Sequence, residues 1–240
     1  MSDPIIIVGA TGGIGSALAT RLHAAGRSLH LVGRDAGRLA AMAGPLEATT
    51  AIADAMDAQA LAAAIRAAGP RAGGLAYCVG SIVMTPLKRA TEAMFVDTFR
   101  LNAVGAALAI AAAADALKAA EGSVVLFSTV AARAGFTNHA VIAAAKGALE
   151  GITVSLAAEL APHVRVNAIA PSLTRTGIAE PLTGNEAMAR AIAAAHPIPR
   201  LGEAEDSAAL AAFLLSPDAG WITGQIIAVD GGRSTVRTKN

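Results

Sequence analysis

The 240-residue sequence predicts an α/β fold, a single Rossmann-type doubly wound domain on a seven-stranded parallel sheet. Three observations predict it. Short runs rich in Ile, Val and Leu alternate with alanine-rich helical stretches. The strand runs are continuously apolar, as strands covered on both faces are. The first run, "IIIVGATGGIG", ends in a glycine-rich turn that opens a helix. No linker or internal repeat interrupts this rhythm, so one domain is expected over residues 1–240.

Taken in order, the first strand is expected near 4–9 and its helix near 13–25. Gly9, Gly13 and Gly15 stand in the turn between them, where glycine permits positive φ and close approach of backbone to a ligand. The helix opening at about Ile14 aims its free amides into that turn, which suits a pyrophosphate. A dinucleotide is therefore expected there. Strands follow near 28–33, 48–53, 73–79, 122–128, 163–169 and 225–229, with helices near 36–43, 57–68, 92–119, 138–160 and 204–215. Residues 171–202 break the pattern with Pro171, Pro181, Pro197 and Pro199. A stretch of that length inside a compact domain is usually functional or partly helical, and it is expected to be a substrate lid.

The glycine spacing, Gly-x-x-x-Gly-x-Gly, resembles that of the short-chain dehydrogenase/reductase family, and the resemblance runs the length of the chain. "ADAMD" around Asp54 resembles the acidic position that contacts adenine. "YCVG" (77–80) stands where the family has Asn-Asn-Ala-Gly, keeping only Gly80. Asn102 in "RLNAVG" matches the asparagine of the long interface helix. "VRVNAIAPSLTRT" (164–176) is similar to the sixth strand and its turn, with Ser172 in place of glycine. "PRLGEAEDSAALAAFLLSPDAGWITGQIIAVDGG" (199–232) follows the family pattern throughout. The resemblance implies nicotinamide-dependent oxidoreduction of a small carbonyl or alcohol. The cofactor would be held by Gly9, Thr11, Gly13, Ile14, Gly15, Asp54, Gly80, Lys146, Pro171 and Thr176.

The residue after the second strand distinguishes the two nicotinamide cofactors. An acid there bonds the ribose 2′-hydroxyl of NAD, and an arginine pairs with the 2′-phosphate of NADP. Here Gly33 is followed by Arg34, with Arg38 a turn later and Asp35 placed to cap the next helix. NADP is expected. NAD is the alternative, because Gly12 stands where NADP-preferring relatives often carry a basic residue.

In the resembled family a tyrosine and a lysine four apart on one helix hold the proton and the nicotinamide ribose. A serine binds the substrate oxygen, and the asparagine anchors a water in a proton relay. With Lys146 as that lysine, Ile142 falls on the tyrosine position. The serine offset lands on Thr129. Neighbours on a strand face opposite ways, so Ser128 faces the cleft only if the strand ends one residue earlier. The single tyrosine, Tyr77, is expected to pack in the fourth strand. His139 precedes Ile142 by three residues and Lys146 by seven, and so shares their helical face. With Asn138 as the helix cap, His139 would lie in the first turn. The dipole there favours a neutral ring whose N–H polarises a carbonyl. A structural histidine at the helix start is the competing reading. His196 lies in the lid, and Arg175 and Arg200 are the lid cations available to a polar substrate group.

Composition excludes other classes. Net charge is +1 with no clustered cations, so nucleic acid has no electrostatic footprint. Cys78 is the only cysteine, which leaves no intramolecular disulfide and no cysteine-rich metal site. "MSDP" leads into the first strand with no signal-like segment, and the apolar segment Leu101 to Ala114 is shorter than a membrane span. A cytoplasmic protein is expected, without membrane or nucleic-acid partners. Its alanine-rich long helices imply, through the resemblance, a homotetramer or homodimer. Three functional readings stay open: an active oxidoreductase, a non-catalytic dinucleotide-binding sensor or scaffold that has lost the proton donor, and an enzyme using the same pocket for a reaction that needs no tyrosine, such as an isomerisation or dehydration.

Overall fold

The computed structural model describes residues 3–237. The ends of the expected 1–240 domain, Met1, Ser2 and 238–240, lie outside the described residues. The main sheet holds β1 (Ile5–Val8), β2 (Leu29–Gly33), β3 (Thr49–Ile52), β4 (Gly74–Tyr77), β5 (Ser123–Phe127) and β6 (Arg165–Pro171). After β7 (Thr174–Arg175) and β8 (Gly202–Glu203), which pair with each other, β9 (Ile226–Val229) closes the sheet. Its order is β3-β2-β1-β4-β5-β6-β9 and every neighbouring pair is parallel. This is the expected seven-stranded doubly wound sheet.

Successive strand residues serve opposite layers, which is why the strands read as unbroken apolar runs. Ile6, Val8, Leu75, Val124 and Val166 face one core. That core is shared with α3 (Ala58–Arg66), α5 (Gly105–Ala119) and α6 (Ala140–Leu160). Ile5, Ile7, Leu31, Val125 and Ile169 face the other, with α1 (Gly13–Ala24), α2 (Ala36–Ala43) and α9 (Ala204–Leu214). Asp35 caps α2 as the sequence suggested, its Oδ1 accepting the Arg38 amide at 3.0 Å.

Two local features depart from the sequence reading, and the 171–202 segment is partly helical as that reading allowed. The helix expected over 92–119 is α4 (Glu92–Phe99) and α5 joined by a π-helical turn over Arg100–Val104. The Asn102 amide causes the widening: its Nδ2 donates to the Thr98 carbonyl at 2.9 Å, taking the acceptor that the backbone of residue 102 would use. The helix expected from residue 138 begins at Ala140, because Asn138 takes φ +65° and His139 is itself the residue preceding the helix. The expected lid folds into α7 (Glu180–Thr183), α8 (Glu186–Ala194) and the β7–β8 pair.

The run Glu92–Ala119 (mean hydropathy 1.4) and α6 (1.5) are each long and apolar enough to cross a membrane. A count that stopped at Arg100 and Asp115 missed this. Within the fold, the inner faces of α5 and α6 lie against the sheet.

Candidate active site

The carboxyl ends of β1, β4, β5 and β6 surround a cavity of about 480 Å³, mostly apolar in lining. Ligands of doubly wound folds bind at this edge. The glycine turn forms one rim. Gly9 adopts φ +80°, and a Cβ there would press on Cys78 and Val79 at 3.0 Å. A Cβ on Gly13 would meet the Thr176 methyl at 2.7 Å, so the turn closes against the segment after β6. A Cβ on Gly15 would run into the Gly9 carbonyl. Gly12 precedes α1 and no side chain caps the helix. Its first amides are left open, as an anionic ligand requires. Arg38 braces the turn from outside, donating to the Thr11 carbonyl at 2.6 Å. Arg34 is exposed beyond β2 and Asp54 is exposed beyond β3. Asp54 spends Oδ1 on the Met56 amide at 2.8 Å.

Deeper in, three expected residues meet. Lys146 is only 6% exposed, and its Nζ donates to the Phe127 carbonyl at 2.6 Å. Burial pulls its pKa down to about 8, with the Cys78 sulfur partly opposing that shift. Asn102 is fully buried, and Nδ2 donates to Ser81 Oγ as well as to Thr98. Its Oδ1 has no partner. A Cβ on Gly80 would lie 3.1 Å from that orphan oxygen and 3.4 Å from Lys146 Nζ, so Gly80 keeps the space between them open. A buried acceptor without a partner calls for a water or a ligand group. The glycine cradle, the uncapped amides and this orphan oxygen together fit a bound dinucleotide.

The two candidate hydroxyls have separate environments. Ser128 is buried and its Oγ donates to Glu150 Oε1 at 2.8 Å, while Arg133 Nε holds Glu150 Oε2 at 2.6 Å. Thr129 lines the cavity, and its Oγ1 accepts the Ala131 amide at 3.3 Å. That bond leaves the Thr129 O–H free to donate. Ile142, in the first turn of α6, also lines the cavity and is 4% exposed. Pro171, Ile14 and Thr176 also line the cavity.

His139 reaches the cavity wall, but not in the state expected of it. Its Nδ1 donates to the Thr137 carbonyl at 2.7 Å. The neutral ring therefore carries its only proton on Nδ1, and Nε2 is an acceptor. The expectation of a neutral N–H electrophile inside the first helical turn is corrected on both counts. Nε2 can take a proton when the ring is neutral, and can give one only from the imidazolium.

Other expectations resolve simply. Tyr77 is packed under α5, its hydroxyl donating to the Leu101 carbonyl at 2.8 Å and lying against Gly105. Burial raises its pKa, with Asp54 adding to the shift. Buried His196 bridges the Ile192 carbonyl and Ser172 Oγ at 2.8 Å each. The lid cations are both engaged: Arg175 with Glu203 at 3.4 Å and Arg200 with Asp206 at 2.6 Å. Neither lines the cavity. Arg233, which sequence reasoning passed over, does. Among the described residues no metal-binding cluster of His, Cys, Asp and Glu occurs.

A family model described as enoyl-(acyl carrier protein) reductase matches residues 9–234. A 2-(S)-hydroxypropyl-CoM dehydrogenase of Xanthobacter autotrophicus is 34% identical, with 98% of both chains covered. The chain belongs to the short-chain dehydrogenase/reductase family. A bovine (Bos taurus) L-xylulose reductase is 31% identical over 95% of this chain and 94% of that one. Among solved structures, a short-chain dehydrogenase/reductase from Mycobacterium ulcerans superposes with a TM-score of 0.92 at 31% identity, covering 99% of this chain and 92% of that one. Levodione reductase superposes at 0.91 and 28%, covering 98% of both. Family members are NAD(P)-binding dehydrogenases and reductases of small molecules, and the chain is an oxidoreductase of that kind.

Proposed function

We propose that the protein is an NADP(H)-dependent oxidoreductase interconverting a small carbonyl compound and its alcohol. The observation that carries this reading is the buried Lys146 beside the orphan Asn102 oxygen, around the opening kept by Gly80. A scaffold that binds no dinucleotide has no use for an unsatisfied buried acceptor next to a desolvated ammonium; a dinucleotide sensor would share them, but would not need the free Thr129 hydroxyl in the cavity.

Gly9, Gly13, Gly15, Thr11 and Ile14 would hold the pyrophosphate side, with Asp54 at the adenine. Gly80, Pro171, Thr176 and Lys146 would hold the nicotinamide half. The cofactor supplies or accepts the hydride. Thr129 donates its free O–H to the substrate oxygen and so fixes the reacting carbon. Lys146 orients the ribose, and its ammonium, titrating near 8, is a proton reservoir at neutral pH. The proton passes between the substrate oxygen and either His139 Nε2 or a water held on Asn102 Oδ1. Ile142, at the family's tyrosine position, transfers none. The 171–202 segment covers the substrate through Ile178, Leu182 and Ile192. The outer faces of the long helices expose Met94, Val96, Phe99, Leu108 and Val154, which supports a homotetramer or homodimer built across them.

His139→Ala is expected to lower single-turnover NADPH oxidation by about 10²-fold or more while NADPH affinity holds. An unchanged rate would assign the proton to the Asn102 water. Arg34 has no partner among the described residues, so it stands free for a 2′-phosphate. Arg34→Ala should weaken NADPH binding by about 10-fold or more and leave NADH binding as it was, read by fluorescence titration. Equal losses for the two cofactors would remove NADP preference from the reading.

A further inference from the structure

Arg233 follows β9, on the chain that returns over the cavity. Gly231 (φ +59°) and Gly232 (φ +86°) make that return in left-handed conformations. The Asp230 carboxylate fixes the turn, accepting the Gly232 amide at 2.9 Å and the Ser234 amide at 2.8 Å. Asp230 is held by these amides and by the Ser234 hydroxyl, and among the described residues it forms no ion pair with Arg233. The guanidinium lies over the Phe136 ring with Cζ 5.1 Å from the centroid, and His139 rests against the same ring at 5.5 Å. The ring face holds the cation against the wall, leaving its in-plane N–H donors unused.

Among the described residues, Arg233 has no ion pair and no side-chain hydrogen bond, whereas Arg133, Arg175 and Arg200 are all paired. The charged residues of the cavity lining are Lys146 and Arg233, and no carboxylate faces them. A cavity with two cations, an apolar wall and no counter-charge is electrostatically built for an anion. Lys146 gives one N–H to the Phe127 carbonyl at the inner end and, on the reading above, serves the ribose. The unspent charge is at Arg233, on the wall shared with His139.

We propose that Arg233 is the specificity residue for an anionic substrate, a keto or hydroxy carboxylate. The carboxylate pairs with the guanidinium fork while the reacting carbon lies at Thr129 and His139. This inference rests on the oxidoreductase reading above. A planar guanidinium matches a carboxylate in two parallel hydrogen bonds, which an ester cannot accept in the same way.

The test uses acetoacetate, 4-oxopentanoate and 5-oxohexanoate, each beside its methyl ester, with NADPH and the full chain. At least one acid should exceed its ester in kcat/KM. Arg233→Met should cut that acid-over-ester ratio by about 10- to 100-fold, mainly through KM, and Arg233→Lys should restore part of it. NADPH affinity, titrated separately, should move far less. Binding of the same acids to the NADP-loaded protein is followed by saturation-transfer NMR, which needs no turnover. Arg233-dependent binding without hydride transfer would sustain the carboxylate site and sink the oxidoreductase reading. No acid preferred over its ester, or a preference that survives Arg233→Met, overturns the proposal. So does an equal loss of NADPH affinity, which would make Arg233 a cofactor contact.

Discussion

Ile142→Tyr is expected to raise carbonyl reduction by up to about 10²-fold, because a well-placed general acid contributes about 10²- to 10⁴-fold and the native donor already supplies about 10² of it. Position 142 lies one helical turn before Lys146 and lines the cavity, as Thr129 does. Long side chains on a helix lean toward its N-terminus, so a phenol there would hang over the cavity and not into the core. Overpacking costs about 1–3 kcal/mol where a core is already full, but this side chain would grow into a cavity of about 480 Å³. The adjacent Lys146 ammonium favours the phenolate and so brings the phenol's pKa toward neutrality. Single-turnover NADPH oxidation against a panel of ketones reads the gain. A second arm tests the natural donor. In the Ile142→Tyr background, His139→Ala should become nearly silent, because the phenol now supplies the proton. A folded, cofactor-binding Ile142→Tyr protein with an unchanged rate would mean that the native site is not short of an acid.

The fold was legible because its signals are local and redundant. Each strand is a short apolar run between helices, and Gly9, Gly13 and Gly15 are demanded by contacts a Cβ would break. Lys146, Asn102 and Gly80, each singled out by a motif local to it, converge on one opening. What failed depended on partners distant in sequence or on single dihedral angles. Asn138 reads as a cap residue, but its left-handed backbone puts it outside the helix and delivers His139 Nδ1 to the Thr137 carbonyl. Arg175 and Arg200 read as free lid cations, and only the folded chain brings Glu203 and Asp206 to them. Arg233 gave no signal, because "DGGRS" looks like any polar tail until two left-handed glycines turn it back over the cavity. The choice between Ser128 and Thr129 is informed by Glu150, whose hydrogen bond to Ser128 no strand count would suggest.

Lys146→Met is expected to stabilise the cofactor-free protein while it removes activity. The ammonium is buried, and its folded-state pKa falls from 10.5 to about 8. Between about pH 8 and 10.5 the unfolded chain binds this proton and the folded chain does not, so wild-type stability rises with pH across that window. Below about pH 8 both states are protonated and the penalty is present in full, at about 3 kcal/mol. Methionine has similar length and no charge to desolvate. It also leaves the Phe127 carbonyl without its donor, which costs about 1 kcal/mol and up to 3 if the carbonyl stays dry. The net gain should be about 0–2 kcal/mol at pH 7, reaching about 2 kcal/mol or roughly 4–8 °C in Tm if water reaches the Phe127 carbonyl. The difference between variant and wild type should shrink as pH rises from 8 toward 10.5, which separates relief of a buried charge from better packing. Calorimetry of the two apo-proteins at pH 7 and pH 10 reads both effects. A variant that melts lower at pH 7 would mean that Lys146 contributes more through its bond to Phe127 than it loses by burial. The site would then owe its lysine to the fold as much as to the ribose.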